Sequence, residues 1–158
     1  AGFAFFYSQL NKTRKKFYLI DSYNGLSENL ITKAEHKEWK KNKLDPRKLY
    51  TKDVEGIVRN KFKRYPSVKI IKGIIPEIFN KTNIKKVSYL HIDLNCAKPE
   101  FATLNFFWNK ISKGGVIIAD DYGWPNHIIQ KQTWDRFMKS KNHKILSLPT
   151  GQGLVIKN

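Results

Sequence analysis

Four of the seven aspartates stand where an apolar run ends: Asp21 after KFYLI (16–20), Asp93 after VSYLHI (87–92), and Asp120-Asp121 after VIIA (116–119). Carboxylates at the ends of strands can do two kinds of work. One alone can accept hydrogen bonds from both hydroxyls of a nucleotide's ribose, which suits Asp21 at the end of the earliest strand. A group from neighbouring strands offers hard oxygen ligands, which suits Asp93, Asp120 and Asp121 to Mg²⁺ or a similar divalent cation. Like charges gathered on one edge repel unless a cation or hydrogen-bond donors lie between them. The local alternatives are an Asx turn at Asp21 and N-caps of the following helices for the later three. His127, in the loop after Asp120-Asp121-Tyr122, is a candidate general base, set against the common case of a loop histidine at the surface. His91, inside the third strand, reads as a packed, hydrogen-bonded core residue.

These acids can share an edge only if the runs are strands of one sheet. Phe3, Phe6, Tyr7 and Leu10, spaced i, i+3, i+4, i+7, predict a short amphipathic helix over 2–12. KFYLI then forms a strand that leaves the sheet at Ser22-Tyr23-Asn24-Gly25. Thr51 caps a helix with Val54, Ile57, Val58, Phe62 and Tyr65 on one face, ended by Pro66. VKII (68–71) is the second strand, broken by Lys72-Gly73, and a helical turn begins near Pro76. After VSYLHI, Pro99 opens a helix whose inner face is Phe101, Leu104, Trp108 and Ile111, and Gly114-Gly115 turns the chain into VIIA. A helix over 126–140 turns Trp134, Phe137 and Met138 inward, and KILSL (144–148) and GLVIK (153–157) form a hairpin around Pro149-Thr150-Gly151-Gln152. The alternation predicts an α/β domain over 1–158: a Rossmann-like, doubly wound, mostly parallel sheet closed by a C-terminal antiparallel hairpin. The polar, lysine-rich stretch 27–50, with Trp39 and Pro46, is an excursion, either a solvated insertion or a lid over a substrate.

Composition bounds the rest. At 158 residues and 41% hydrophobic, the chain can bury a core and is not of disordered type. No apolar run approaches the roughly 20 residues of a membrane span, and AGFAFFYSQL lacks the basic leader and cleavage site of a signal peptide. Cys96, the sole cysteine, can form no internal disulfide, which fits a reducing, cytoplasmic setting. Thirty Lys+Arg against 13 Asp+Glu leave +17, a balance that could serve nucleic acid or an anionic membrane. Twenty-five of the 30 cations are lysines spread through the chain, the pattern of solvated faces.

YLHIDLNCAKPE (89–100), FFWNKISKGGVIIADDYGW (106–124) and LSLPTGQGLVIKN (146–158) together resemble the macrocin O-methyltransferase (TylF-type) family of class I S-adenosylmethionine-dependent methyltransferases. YLIDSYNGLSE (18–28) is similar to that family's second-strand motif and VKIIKGIIPEIF (68–79) to its third-strand segment. The resemblance implies Mg²⁺-assisted methyl transfer from S-adenosylmethionine to a hydroxyl of a sugar or glycosylated small molecule. It makes Asp21 the ribose-binding acid, with Gly2, Ser22 and Gly73 as further cofactor contacts. It makes Asp93, Asp120 and Asp121 the metal ligands, with Asp93 also at the reaction centre. The ion would hold the acceptor oxygen, lower its pKa and orient it toward the sulfonium methyl.

Two departures bear on this. Asn95 stands where the family often has an aspartate that could act as base, so His127 is the substitute, or no dedicated base is needed. The family's first strand is missing and only Ala1-Gly2 could belong to its glycine-rich turn. The chain therefore reads as an N-terminally truncated fragment that binds the cofactor weakly, with open strand edges that favour a homo-oligomer. Two other classes stay open. One is a basic nucleic-acid-binding protein or RNA methyltransferase, with Tyr7, Trp39, Tyr65 and Trp124 as stacking platforms; it is disfavoured because most aromatics fall on inner helix faces. The other is a non-catalytic sugar-nucleotide-binding protein using the same acids.

Overall fold

The structure is a computed structural model and describes residues 15–43, 45–48 and 53–158. The expectations for the helix over 2–12, for Gly2 and for Thr51 lie outside these residues. In chain order the regular elements are β1 (Phe17–Asp21), α1 (Lys33–Lys41), α2 (Glu55–Phe62), β2 (Val68–Lys72), β3 (Val87–Ile92), α3 (Ala97–Phe107), β4 (Ile111–Ala119), α4 (Ile128–Ser140), β5 (Leu146–Ser147) and β6 (Gly153–Ile156). They fall into two compact units, one containing 15–25 and 53–74, the other 26–48 and 75–158.

In the first unit β1 and β2 pair in parallel, in register from Phe17 opposite Val68 to Asp21 opposite Lys72. Their β-branched and aromatic residues favour the pleated strand. α2 precedes β2, and of the predicted face Val54, Val58, Phe62 and Tyr65 are half-buried while Ile57 departs from it at 69% exposure. Its first-turn carboxylate, Glu55, lies 2.8 Å from both Arg59 Nε and Lys72 Nζ. Lys72 and then Arg59 hold that carboxyl below the usual range.

The second unit holds a four-stranded sheet in the order β3-β4-β6-β5. β3 and β4 are parallel, while β6 runs antiparallel to both β4 and β5. The parallel pairing and the C-terminal hairpin are as predicted, whereas the single sheet expected is two sheets among the described residues, with β1 and β2 forming one of their own. The side chains of Ile92, Ile117, Ala119 and Val155 line the buried face of the sheet, and Leu104, Phe107, Trp134, Phe137 and Met138 are the buried residues of α3 and α4. On the other face Tyr89 and Ile156 are exposed.

Three local expectations are corrected here. Gly114-Gly115 does not turn the chain before β4 but lies inside it. Between the pairs Val87–Ile111 and Tyr89–Val116 the longer strand bulges, and Gly114 takes φ +73°, which glycine adopts without a Cβ penalty. α3 begins at Ala97, two residues before Pro99, and its inner face is Glu100, Thr103, Leu104 and Phe107, with Phe101 47% exposed. A buried carboxylate thus takes the place expected for an aromatic. The 27–50 stretch carries α1, which opens on a capping box: Thr32 Oγ1 accepts from the Glu35 amide at 3.1 Å while Glu35 Oε2 accepts from the Thr32 amide at 2.7 Å. Trp39, 2% exposed, packs with Ile31, Cys96 and Leu26, which a purely solvated insertion would not do.

Candidate functional site

Parallel pairing of β3 with β4 sets Ile92 beside Ala119, so Asp93 and Asp120 leave the sheet together at its carboxyl edge. The Asp120 amide donates to the Ile92 carbonyl at 3.0 Å, which continues the ladder one residue past the strands. Each acid then has its own surroundings. Asp93 Oδ1 accepts from Asn95 Nδ2 at 3.0 Å. Asp120 Oδ1 accepts from Gln152 Nε2 at 2.7 Å and lies 3.0 Å from His91 Nε2. Asp121 Oδ2 is buried with no hydrogen-bond partner and lies 3.9 Å from His127 Nδ1. Partial withdrawal from water, then the charges of Asp120 and Asp121, hold the Asp93 carboxyl above the ordinary range. Burial does the same to Asp121, where His127 opposes the shift and Asp120 adds to it.

The acids are not helix caps, which was their structural alternative. α3 and α4 begin at Ala97 and Ile128, and their N-cap residues, Cys96 and His127, make no side-chain cap bond. The first amide of α3 donates instead to Glu35 Oε1 at 2.6 Å, and that of α4 to Glu38 Oε1 at 2.9 Å. Asp93 and Asp121 are therefore held in the loops without capping either helix. For a cation the donor chemistry is suitable, with hard oxygens and one orphaned buried carboxylate oxygen. The side chains do not converge, however. Among the described residues no three His, Cys, Asp or Glu stand close enough together to hold a metal ion.

The two histidines exchange their expected roles. His91 is not packed in the core but exposed at the sheet face, paired with Asp120. His127 is not a surface residue but 7% exposed. Its Nδ1 is hydrogen-bonded to Gln130 Oε1, and Gln130 Nε2 donates to Glu100 Oε1 at 2.8 Å. Trp134 Nε1 donates to the other Glu100 oxygen at 2.6 Å. Because Glu100 accepts from the Gln130 amide nitrogen, the Gln130 oxygen is left to accept from His127. That arrangement makes Nδ1 the donor of this bond. Glu100 is 3% exposed, and burial pushes its carboxyl up to about 8 against the two donors, which favour the charged form.

In the first unit, Asp21 ends β1 and its Oδ1 accepts from the Tyr23 amide at 2.5 Å, which is the Asx turn weighed as its local alternative. One carboxylate oxygen, Oδ2, stays outside that turn. The Gly73 amide donates to the Asp21 carbonyl at 3.0 Å, and Ser22 Oγ donates to the Gly25 carbonyl at 2.8 Å. Ser22 and Gly73 thus flank Asp21 within this unit. Tyr23 is buried, and burial followed by the Asp21 charge pushes its phenol up to about 12.

Sequence reasoning missed Gln152, Glu100, Gln130, Glu35 and Glu38. Only Glu35 left a local trace, the Thr32-x-x-Glu35 box that opens α1. Gln152 reaches Asp120 because the β5–β6 connection folds onto the loop after β4: the Gly123 amide donates to the Gly151 carbonyl at 2.6 Å. A Cβ on Gly151 would stand 2.7 Å from Trp124 Nε1, so this approach depends on glycine.

Comparison with known proteins fits this geometry. The O-methyltransferase NovP superposes with a TM-score of 0.75 at 17% identity, over 92% of this chain and 61% of NovP. The calicheamicin methyltransferase CalS11 superposes at 0.73 and 10% identity, over 96% of this chain and 65% of CalS11. A second CalS11 structure, described as a TDP-rhamnose 3'-O-methyltransferase, gives 0.58 at 12% identity, over 96% of this chain and 64% of that one. At such identities the likeness is one of fold, and this chain spans less than two thirds of each neighbour. No curated protein sequence matches. The model of the macrocin O-methyltransferase (TylF) family matches residues 4–147, most of the chain and all the acids described above, and this chain belongs to that family.

Proposed function

We propose that the protein transfers a methyl group from S-adenosylmethionine to a hydroxyl of a sugar or glycosylated small molecule. The observation that carries the reading is the acidic edge of the second unit. Three carboxylates from two adjacent parallel strands are gathered where open α/β sheets place ligands, and they are spared from helix capping by Glu35 and Glu38. Family membership, the likeness to the O-methyltransferase NovP and the likeness to CalS11, described as a TDP-rhamnose 3'-O-methyltransferase, support the same class of reaction.

S-adenosylmethionine, when bound, supplies an electrophilic methyl on a sulfonium. Asp21 is proposed to hold its ribose hydroxyls through the oxygen left outside the Asx turn, with Ser22, Gly73 and Gly2 as neighbouring contacts. Asp93, Asp120 and Asp121 are proposed to orient the acceptor hydroxyl and to stabilise positive charge beside it. The acceptor proton passes to His127 Nε2 or to Asp93, whose raised carboxyl accepts protons more readily than an ordinary aspartate. A divalent cation is the finer part of the proposal: Asp93, Asp120 and Asp121 would hold it, and it would lower the pKa of a hydroxyl bound to it. The orphaned Asp121 Oδ2 supports that part, and the engagement of Asp120 with His91 and Gln152 stands against it.

The test incubates the full-length protein with S-adenosylmethionine and TDP-rhamnose or related glycosides, with and without added Mg²⁺, and follows acceptor mass. Gain of one methyl group, lost in Asp120→Ala, is expected. Binding of the nucleotide sugar with no methyl gain on any acceptor would replace the proposal with a non-catalytic binding role.

A further inference from the structure

We infer that α1 is a positioning element for the acidic edge, with Glu35 and Glu38 as its two contact residues. The first amides of a helix have no intrahelical acceptor, and a residue just before the helix normally supplies one. Cys96 and His127 occupy those places in α3 and α4 and supply none. Both vacancies are filled by one short helix distant in sequence. Glu35 and Glu38, three apart and therefore on one side of α1, accept from Ala97 at 2.6 Å and from Ile128 at 2.9 Å. A carboxylate in this place also meets the positive end of the helix dipole and makes a charge-assisted bond.

The consequence is positional. Ala97 follows Asp93 by four residues, with Asn95 between them bonded to Asp93, and Ile128 follows His127 directly. Glu35 is itself fixed, because its second oxygen is taken by the Thr32 amide and hydroxyl, at 2.7 Å each. The second oxygen of Glu38 is buried without a partner. Glu38 is placed instead by the helix that carries it, whose next residue, Trp39, is buried with Ile31 and Cys96. Glu35 therefore sets the Asp93 loop and Glu38 sets His127, each separately. The reading rests on the proposed function only in taking these loops as the reaction centre.

The experiment compares Glu38→Ala, Glu38→Gln and Glu35→Gln with the parent full-length protein, using amide hydrogen exchange and imidazole ¹⁵N spectra. Glu38→Ala should speed exchange at Ile128 about tenfold, the loss of one good cap, and shift the His127 imidazole signals as its bond to Gln130 loosens. Glu38→Gln keeps an oxygen acceptor and should restore both. Glu35→Gln should disturb Ala97 and Asn95 and leave His127 unchanged. Unaltered Ile128 exchange and His127 signals in Glu38→Ala would overturn the inference, as would loss of thermal stability alone. These readouts need no methyl acceptor, so a failed methyl-transfer assay would count against the proposed function and not against this inference.

Discussion

Replacing Glu100 by Gln should reverse its effect on stability as pH rises. Burial pushes the folded carboxyl up to about 8 from the ordinary 4.5, against the hydrogen bonds from Gln130 and Trp134 that favour its charged form. Below pH 4.5 the group is neutral in both states and imposes no penalty. Between 4.5 and 8 the unfolded chain releases the proton and the folded chain keeps it, so stability falls with pH; above about 8 the loss is complete. The full loss is roughly 5 kcal/mol for the shift, and roughly two thirds of it is present at pH 7. Gln at this position carries no charge but turns an NH₂ toward one of two donors, an unmet pair that costs about 1–3 kcal/mol at any pH. Denaturant unfolding at 25 °C should therefore find Glu100→Gln less stable than the parent at pH 5 and more stable at pH 8.5. The difference should change by roughly 4 kcal/mol between those pH values, with a limiting slope of about 1.4 kcal/mol per pH unit midway. A difference that stays flat from pH 5 to 8.5 would refute the buried, proton-binding carboxyl.

Two further outcomes follow from packing. Trp39→Ala should cost about 3–5 kcal/mol by emptying the pocket beside Ile31 and Cys96. Trp39→Phe should cost much less, because the indole N–H has no hydrogen-bond partner to lose; both are read from denaturant midpoints. Gly151→Ala should cost about 1–2 kcal/mol, since φ is +87° and the new methyl meets Trp124. It should also shift Trp124 fluorescence, the check that the loop after β4 has moved.

What local pattern could reveal, it revealed. The apolar runs at 17–20, 68–71 and 87–92 became β1, β2 and β3, Trp134, Phe137 and Met138 became the inner face of α4, and the hairpin closed where Pro149 to Gln152 suggested. The acids at strand ends were legible because the end of a strand is itself a local event. Elsewhere a local rule met a tertiary one. Gly114-Gly115 looked like a turn, since two glycines weaken a strand, yet pairing with β3 and contacts to Lys157 carry them inside β4. Glu100 was passed over in favour of Phe101 because a carboxylate is rarely buried unless donors await it, and Gln130 and Trp134 stand 30 and 34 residues away. Glu35 and Glu38 act across 62 and 90 residues, a range at which spacing carries no signal. His127 was misjudged for the same reason, its burial being set by α4 and the loop before it.

The central claim is that the acids ending β3 and β4 form a reaction centre and not a structural feature. Asp121 tests it most directly, since it carries a buried, unpaired oxygen that a merely structural residue would not keep. Asp121→Asn should be measured for thermal midpoint and for methyl-transfer rate on whichever glycoside the parent methylates. Removing a buried carboxylate oxygen that no hydrogen-bond donor meets should raise stability by about 1 kcal/mol, while the rate falls about 10²-fold or more as an oriented charge is lost. A variant that is less stable and keeps the parent rate would show that Asp121 serves the fold, and would contradict the account.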